Sequence, residues 1–180
     1  LKAACRLLDY TLTQFGPGKK HVWEAGLYKG MPPMSILEPV VYMYNLTGNK
    51  KYLNFAQYIV DDGERGGPQL IKKRDIPVAK RFPIKNTDEW WSKANGQKAY
   101  EMMSCYVGIL ELSKVTPHKE YLDVVENVYR HILNEEINIC GSGSAYECWY
   151  DGARRQTRPS RHSMETCVTF TWMQLNEKLL

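Results

Sequence analysis

The run Leu46-Thr-Gly-Asn-Lys-Lys-Tyr-Leu-Asn-Phe55 returns 69 residues later as Val115-Thr-Pro-His-Lys-Glu-Tyr-Leu-Asp-Val124. Thr47/Thr116, Lys50/Lys119, Tyr52/Tyr121 and Leu53/Leu122 fall in register. Each copy sits where one helical pattern ends and the next begins, which limits the fold sharply. Upstream of the first copy, Ile36, Leu37, Val40, Val41, Met43, Tyr44 and Leu46 form one stripe over residues 35–47, and Gly48-Asn49 ends it. Leu53, Ala56, Ile59 and Val60 then predict a second helix over 52–60. Around the later copy, Met102, Met103, Tyr106, Ile109, Leu110 and Leu112 predict a helix over 99–113. Leu122, Val125, Val128, Tyr129 and Ile132 predict another over 119–134. Two helices with a short connection make an αα-hairpin, and a hairpin buries its apolar face only by stacking on another. Strand patterns are nearly absent, so the class is all-α. Stacked hairpins form either an open solenoid or a closed α/α toroid, and the spacing leaves both open. Ile36, Val40, Tyr44, Met103, Tyr106 and Leu110 occupy corresponding stripes and are the expected interhelical core.

The rest of the chain extends this pattern. Residues 1–15 carry Ala4, Leu7, Leu8, Thr11, Leu12 and Phe15 at helical spacing, and Gly16-Pro17-Gly18 stops them. Pro32-Pro33 precede the helix over 35–47, and Pro39 falls in its first turn, where a missing N–H costs least. Residues 168–180 read as helix with no Gly or Pro to stop it, so residues 1–180 are expected to be one all-α domain belonging to something longer. Between the repeats, residues 61–96 hold Gly63, Gly66-Gly67-Pro68, Pro77 and Pro83 with little periodicity, and read as a long loop. Its Trp90-Trp91 pair is either a plug pinning that loop to the core or a platform for stacking on sugar rings.

Composition excludes several functions. With 180 residues, 43% hydrophobic and 24% charged, the chain can bury a core and is not of the disordered class. A net charge of +4, with basic residues scattered among acids, argues against a nucleic-acid partner. No apolar run approaches the roughly 20 residues that span a bilayer, and the first residues are not a signal peptide. Five cysteines are an odd number without disulfide-scaffold spacing, so at least one thiol is expected free or metal-bound. Cytoplasmic, periplasmic and secreted locations all remain open, as does oligomeric state.

Reactive side chains concentrate between Cys140 and Cys167. These 28 residues hold three cysteines, Glu147, Glu165, His162, Asp151 and four arginines, between a helix ending near Asn138 and another starting near Ser163. Ser160 or Ser163 is a plausible N-cap for the last helix, with Glu165 and Cys167 in its first turns. A thiol there feels the positive end of the helix, and its pKa is expected to fall toward neutrality. Glu165 and Cys167 are two apart, so a shared metal requires an irregular first turn; the plainer reading is an acidic helix start and a buried thiol. Cys140 and Cys148 add thiols without the C-x-x-C spacing of structural zinc. His162 is a ligand, a base or a polar loop residue. Glu147 lies amid Tyr146, Trp149 and Tyr150, whose apolar walls would raise its pKa toward a general acid's, or it is a solvated loop glutamate.

The order Asn138-Ile-Cys-Gly-Ser-Gly-Ser, Tyr146-Glu147, then Met164-Glu165-Thr166-Cys167 resembles the catalytic segment of the β-L-arabinofuranosidase group of glycoside hydrolases, family 127 and its relatives. Tyr44-Asn-Leu-Thr-Gly-Asn-Lys-Lys-Tyr-Leu and Tyr106-Val-Gly-Ile-Leu-Glu-Leu are similar to two further stretches of that family. The resemblance covers most of the chain. It implies helical hairpins of an (α/α)6 toroid, here incomplete, and a retaining glycoside hydrolase acting on L-arabinofuranosides or related plant or microbial glycans. It further implies Glu147 as acid/base, Glu165 and Cys167 as zinc ligands, and a cysteine nucleophile in a later segment. Where the family tends to have a substrate-contacting histidine, this chain has Gln97. The resemblance also implies that residues 141–150 fold back over the last helix, with Gly141 and Gly143 permitting the turn. A non-catalytic helical-repeat scaffold binding a saccharide or protein is the alternative from another class.

Overall fold

Gly48 and Asn49 show how the sequence makes a hairpin. Gly48 is left-handed (φ 66°) and its N–H closes the preceding helix on the Tyr44 carbonyl at 2.7 Å. Asn49 then caps the next helix, its side chain accepting the Lys51 N–H at 3.1 Å. In the computed structural model, which describes residues 1–83, 97–152, 156–157 and 164–180, the helices among those residues are α1 (Lys2–Gln14), α2 (Met31–Met34), α3 (Leu37–Thr47), α4 (Lys50–Arg65), α5 (Ala99–Ser113), α6 (Lys119–Glu135) and α7 (Thr166–Leu179). Short 3₁₀ turns occupy Val22–Ala25, Tyr28–Gly30 and Val78–Lys80, and no strand occurs among the described residues. The all-α expectation holds.

The helices form two layers. Amphipathic α4 and α6 pack outside α3, α5 and α7, and α5 lies at the centre, touching α3, α6 and α7. Eleven of its fifteen residues are buried, from Ala99 to Leu112, which suits a helix apolar on nearly every face. Val40, Met103, Tyr106 and Leu110 are buried as expected, and Ile36 and Tyr44 pack half-buried against them. The aligned tyrosines do equivalent work. Tyr52 on α4 donates to Asp9 of α1 at 2.9 Å, and Tyr121 on α6 receives Gln57 of α4 at 2.6 Å. Each thus ties its outer helix to the preceding one.

The inner helices run parallel. Along them the contacts advance in one direction: Gly108 of α5 meets Leu37 of α3, Gln174 of α7 meets Glu38 in the first turn of α3, and Lys178, near the end of α7, reaches Tyr42 of α3 and pairs with Glu111 near the end of α5 at 3.0 Å. At the other end, the Cys105 thiol donates to the Met31 carbonyl at 3.3 Å. The two turns inside the hairpins, Gly48-Asn49 and residues 114–118, therefore share one end. The described residues of the three long connections, which run over 15–30, 66–98 and 136–165, share the opposite end.

Two expectations need correction. Residue 61 does not begin a loop, because α4 continues to Arg65 with Gly63 inside it, where a side chain would collide with Met34. The connection that follows is also not structureless. Leu70, Val78, Ala79 and Phe82 are buried in the core, and buried Arg81 donates to the Ile76 carbonyl at 3.0 Å and to the Tyr106 hydroxyl. Trp90 and Trp91 lie outside the described residues.

Gly108 sets the α3–α5 distance, since a Cβ there would lie 2.8 Å from the Leu37 Cβ and 3.0 Å from the Glu38 nitrogen. Gly108→Ala gains helix propensity yet is expected to lower stability by about 1–3 kcal/mol through overpacking. A drop in the urea midpoint at unchanged m-value checks this; equal or greater stability would show that the helices separate freely.

Candidate active site

The third connection is held at its base by Glu136. Its buried carboxylate accepts the N–H groups of Tyr150 (2.6 Å), Asp151 (3.1 Å) and Gly152 (3.3 Å). Gly143 lies where a Cβ would press on the Glu136 carbonyl at 3.2 Å, so a small residue lets the chain pass. Residues 145–149 then pair with the start of α5, Ala99 N–H donating to the Glu147 carbonyl (2.8 Å) and Trp149 N–H to that of Gln97 (3.1 Å). Further hydrogen bonds reach α7: the Met164 N–H donates to Ser144 (3.0 Å), and the Ser142 and Thr169 hydroxyls meet at 2.5 Å. Residues 141–150 thus fold over the start of the last helix. Gly141 is left-handed (φ 76°) as expected, but the sharpest turns fall on Ser144, Tyr146 and Glu147, all with positive φ.

Strain of that kind is confined to this end. All eight non-glycine residues with positive φ among the described residues lie in the three long connections, including Tyr28, Lys29, Glu147 and Met164. Each such conformation costs on the order of 1–3 kcal/mol and persists only where surrounding contacts enforce it.

Glu147 is not walled by aromatics. Trp149 is fully buried beneath the loop, whereas the Glu147 side chain is 49% exposed and forms an ion pair with Lys98, itself 4% exposed. The Lys98 ammonium also lies 4.5 Å above the Tyr28 ring. Burial works against this cation, but the Glu147 carboxylate, aided by Cys148 and Tyr28, outweighs it and holds Lys98 above its ordinary pKa. One turn further along α5, burial raises the Glu101 carboxyl, with Lys98 opposing and Glu147 and Glu165 adding to the rise. The Glu101 Oε2 is buried without a hydrogen-bond partner among the described residues. Lys98 and Glu101 were not singled out from sequence as site residues. The signal was their i, i+3 spacing at a helix start, Lys98 standing at the N-cap position.

Glu165 occupies the N-cap position of α7 in extended conformation (φ −76°, ψ 138°), after Met164 at φ 52°. It therefore precedes the helix, and the i, i+2 rule that would point it away from Cys167 does not apply. Cys167 stands within the first turn and is exposed, not the buried thiol of the plainer reading. Its thiol is raised, not lowered: partial burial of the sulfur comes first, then the charges of Glu165 and Glu147, against the N–H of Val168. The expected drop toward neutrality fails because partial burial, with the neighbouring carboxylate second, outweighs the helix end. Cys148 is fully buried and pushed up to about 12 by burial, whereas Cys140 is exposed. His162, Ser160 and Ser163 lie outside the described residues. Gln97 is buried and donates to the Phe82 carbonyl, turned into the protein.

The charges of Glu147 and Glu165 thus both reach Cys167, and also Glu101, where α5 and α7 begin. The family model for the β-L-arabinofuranosidase, GH127 catalytic domain matches residues 1–180. The chain belongs to this family. Neither the search of curated proteins nor that of solved structures returned a match. The layered hairpins are accordingly those of the helical toroid of the GH127 domain, and the chemistry of the family is glycoside hydrolysis. A GH127 member acts on carbohydrate, and no described helix is long and apolar enough to cross a membrane. As a test of fit for zinc, Glu165 and Cys167 offer one oxygen and one sulfur donor of suitable chemistry. Among the described residues no cluster of three or more potential ligands exists, so further ligands would have to come from elsewhere.

The Glu136 clamp has a pH signature. Burial raises its pKa to about 8, although three N–H groups favour the carboxylate. A carboxyl harder to ionise folded than unfolded contributes most below its unfolded value of about 4.3, and that contribution is lost as pH rises toward 8. Thermal melts should show Tm falling across this window, with a flatter profile for Glu136→Gln. Identical slopes in both proteins would remove Glu136 as the cause.

Proposed function

We propose that this chain carries the acid/base part of a retaining glycoside hydrolase site acting on L-arabinofuranosides or related glycans. What supports it is the placement of Glu147: a half-exposed carboxyl on strained backbone, beside a buried ammonium, where α5 and α7 begin, in a chain of glycosidase family. In the first half of the reaction Glu147 gives its proton to the departing sugar oxygen as the C–O bond breaks. In the second it takes a proton from the attacking water. The nucleophile of this reading is a cysteine from a later segment, as the resemblance implies. Glu165 and Cys167 would be two ligands of a zinc ion, whose chemistry when bound is to keep thiols deprotonated at neutral pH.

Gln97 bears on which sugar is accepted, because its amide N–H is engaged with Phe82 and is not offered to a substrate as a family histidine would be. The reading therefore names a substrate class and not one sugar.

In the full-length protein, Glu147→Gln is expected to lower kcat on a saccharide arabinoside by about 10²–10⁴-fold with little change in KM, since shape is kept and proton transfer lost. Cys167→Ser is expected to lower zinc content measured by elemental analysis. Unchanged turnover of Glu147→Gln on that substrate would leave the helical-repeat scaffold as the better reading.

A further inference from the structure

Lys98 lies in a position that the acid/base reading does not by itself require. It is a nearly fully buried cation at the N-cap position of α5, where the helix dipole disfavours positive charge. Three features keep it there. The Tyr28 ring lies 4.5 Å beneath the ammonium, the Glu147 carboxylate pairs with it, and the backbone bonds from Ala99 to Glu147 and from Trp149 to Gln97 flank it on both sides. Tyr28 and Glu147 both have positive φ, so strained backbone on two separate connections converges on one ammonium.

We propose that Lys98 is the positioning residue for Glu147, holding its carboxyl where α5 and α7 begin and stabilising the charge that develops there as the proton leaves. This rests on the reading of Glu147 as acid/base. The reason is differential: a neutral carboxylic acid interacts weakly with an ammonium, whereas the carboxylate formed on proton donation interacts strongly. The attraction therefore grows along the reaction, and burial of the ammonium limits how far water screens it, although the carboxyl itself is half-exposed. Lys98 itself gives up no proton; the one that moves passes from Glu147 to the leaving oxygen.

Glu101 completes the arrangement. While Glu147 is protonated the buried ammonium needs another counter-charge, and Glu101 stands three residues along the same helix with one carboxyl oxygen unpartnered among the described residues. Cys148 and Glu165 are the other titratable groups that influence this cluster. Lys98 thus pairs directly with the carboxyl carried by the loop, while Glu101, on its own helix, acts on it through charge alone.

Leaving-group dependence tests this in the full-length protein. A p-nitrophenyl arabinofuranoside departs with little help from an acid, whereas a saccharide leaving group needs protonation. Lys98→Met is expected to lower kcat/KM on the saccharide substrate by about 10²-fold and on the aryl substrate by less than about 10-fold, with Lys98→Arg recovering most of the saccharide activity. An equal loss on both substrates, or no loss, would overturn the proposal by making Lys98 merely structural or idle. Should Lys98→Met fail to fold, Tyr28→Leu, which removes the ring beneath the ammonium, must show the same split at smaller size; its absence also overturns the proposal. Glu147→Gln run in parallel separates the two readings. If it shows no leaving-group split, the acid/base assignment itself fails. If it shows one and Lys98→Met does not, only the role of Lys98 falls.

Discussion

A helix without a polar face has nowhere to lie except inside, and α5 is such a helix. Its burial requires neighbours on several sides at once, supplied by α3, α6 and α7. Gly108 lets α3 approach closely enough for Leu37 to close one side, and stacked Tyr129 and Trp172 bridge α6 and α7, their ring centroids 4.9 Å apart. The parallel run of the inner helices follows from this packing, because each returns to the same end through an outer helix. All three long connections are thereby gathered at one end. The site is a consequence of how α5 is buried.

At that end the chain bears conformations it avoids elsewhere. Left-handed backbone at Tyr28, Lys29, Ser144, Tyr146, Glu147, Asp151 and Met164 is compensated by polar anchors beneath it: Glu136 under residues 150–152, Arg81 against Tyr106 and Ile76, and Lys80 with Asp151 at 3.3 Å. Glu136 and Arg81 are buried charged groups with several partners each, the condition under which a charge can be tolerated away from water, whereas Lys80 anchors Asp151 from the surface. Lys98 belongs with them by burial and with the reacting groups by position.

Much of this was legible in the sequence and some was not, for physical reasons. The hairpins were legible because α3 to α6 are built from side-chain periodicity and local caps, and Ala99–Ser113 emerges with the expected bounds. Glu147, Glu165 and Cys167 stood out by residue type and by resemblance. The Lys98–Glu147 pair was not legible, since 49 residues separate its members and only the pairing of residues 145–149 with the start of α5 joins them. The thiol of Cys167 was misjudged because partial burial of the sulfur, and after it the charge of Glu165 at the extended N-cap, enter only once the fold is known. Gly63 misled in the opposite direction: a residue that usually punctuates a loop here lets Met34 press against a helix.

The division between the two ends also separates two timescales of assembly. The Gly48-Asn49 turn and the turn over residues 114–118 each join helices adjacent in sequence, so each hairpin is built from a short-range closure. Stacking the hairpins and assembling the site both need distant contacts, the Tyr52–Asp9 and Tyr121–Gln57 bonds spanning 43 and 64 residues and the Lys98–Glu147 pair 49, and these carry the larger entropic cost of closing long loops. A nascent chain would accordingly form its hairpins before it has either a stack or a site, and amide exchange would be slowest in α5, the most buried helix.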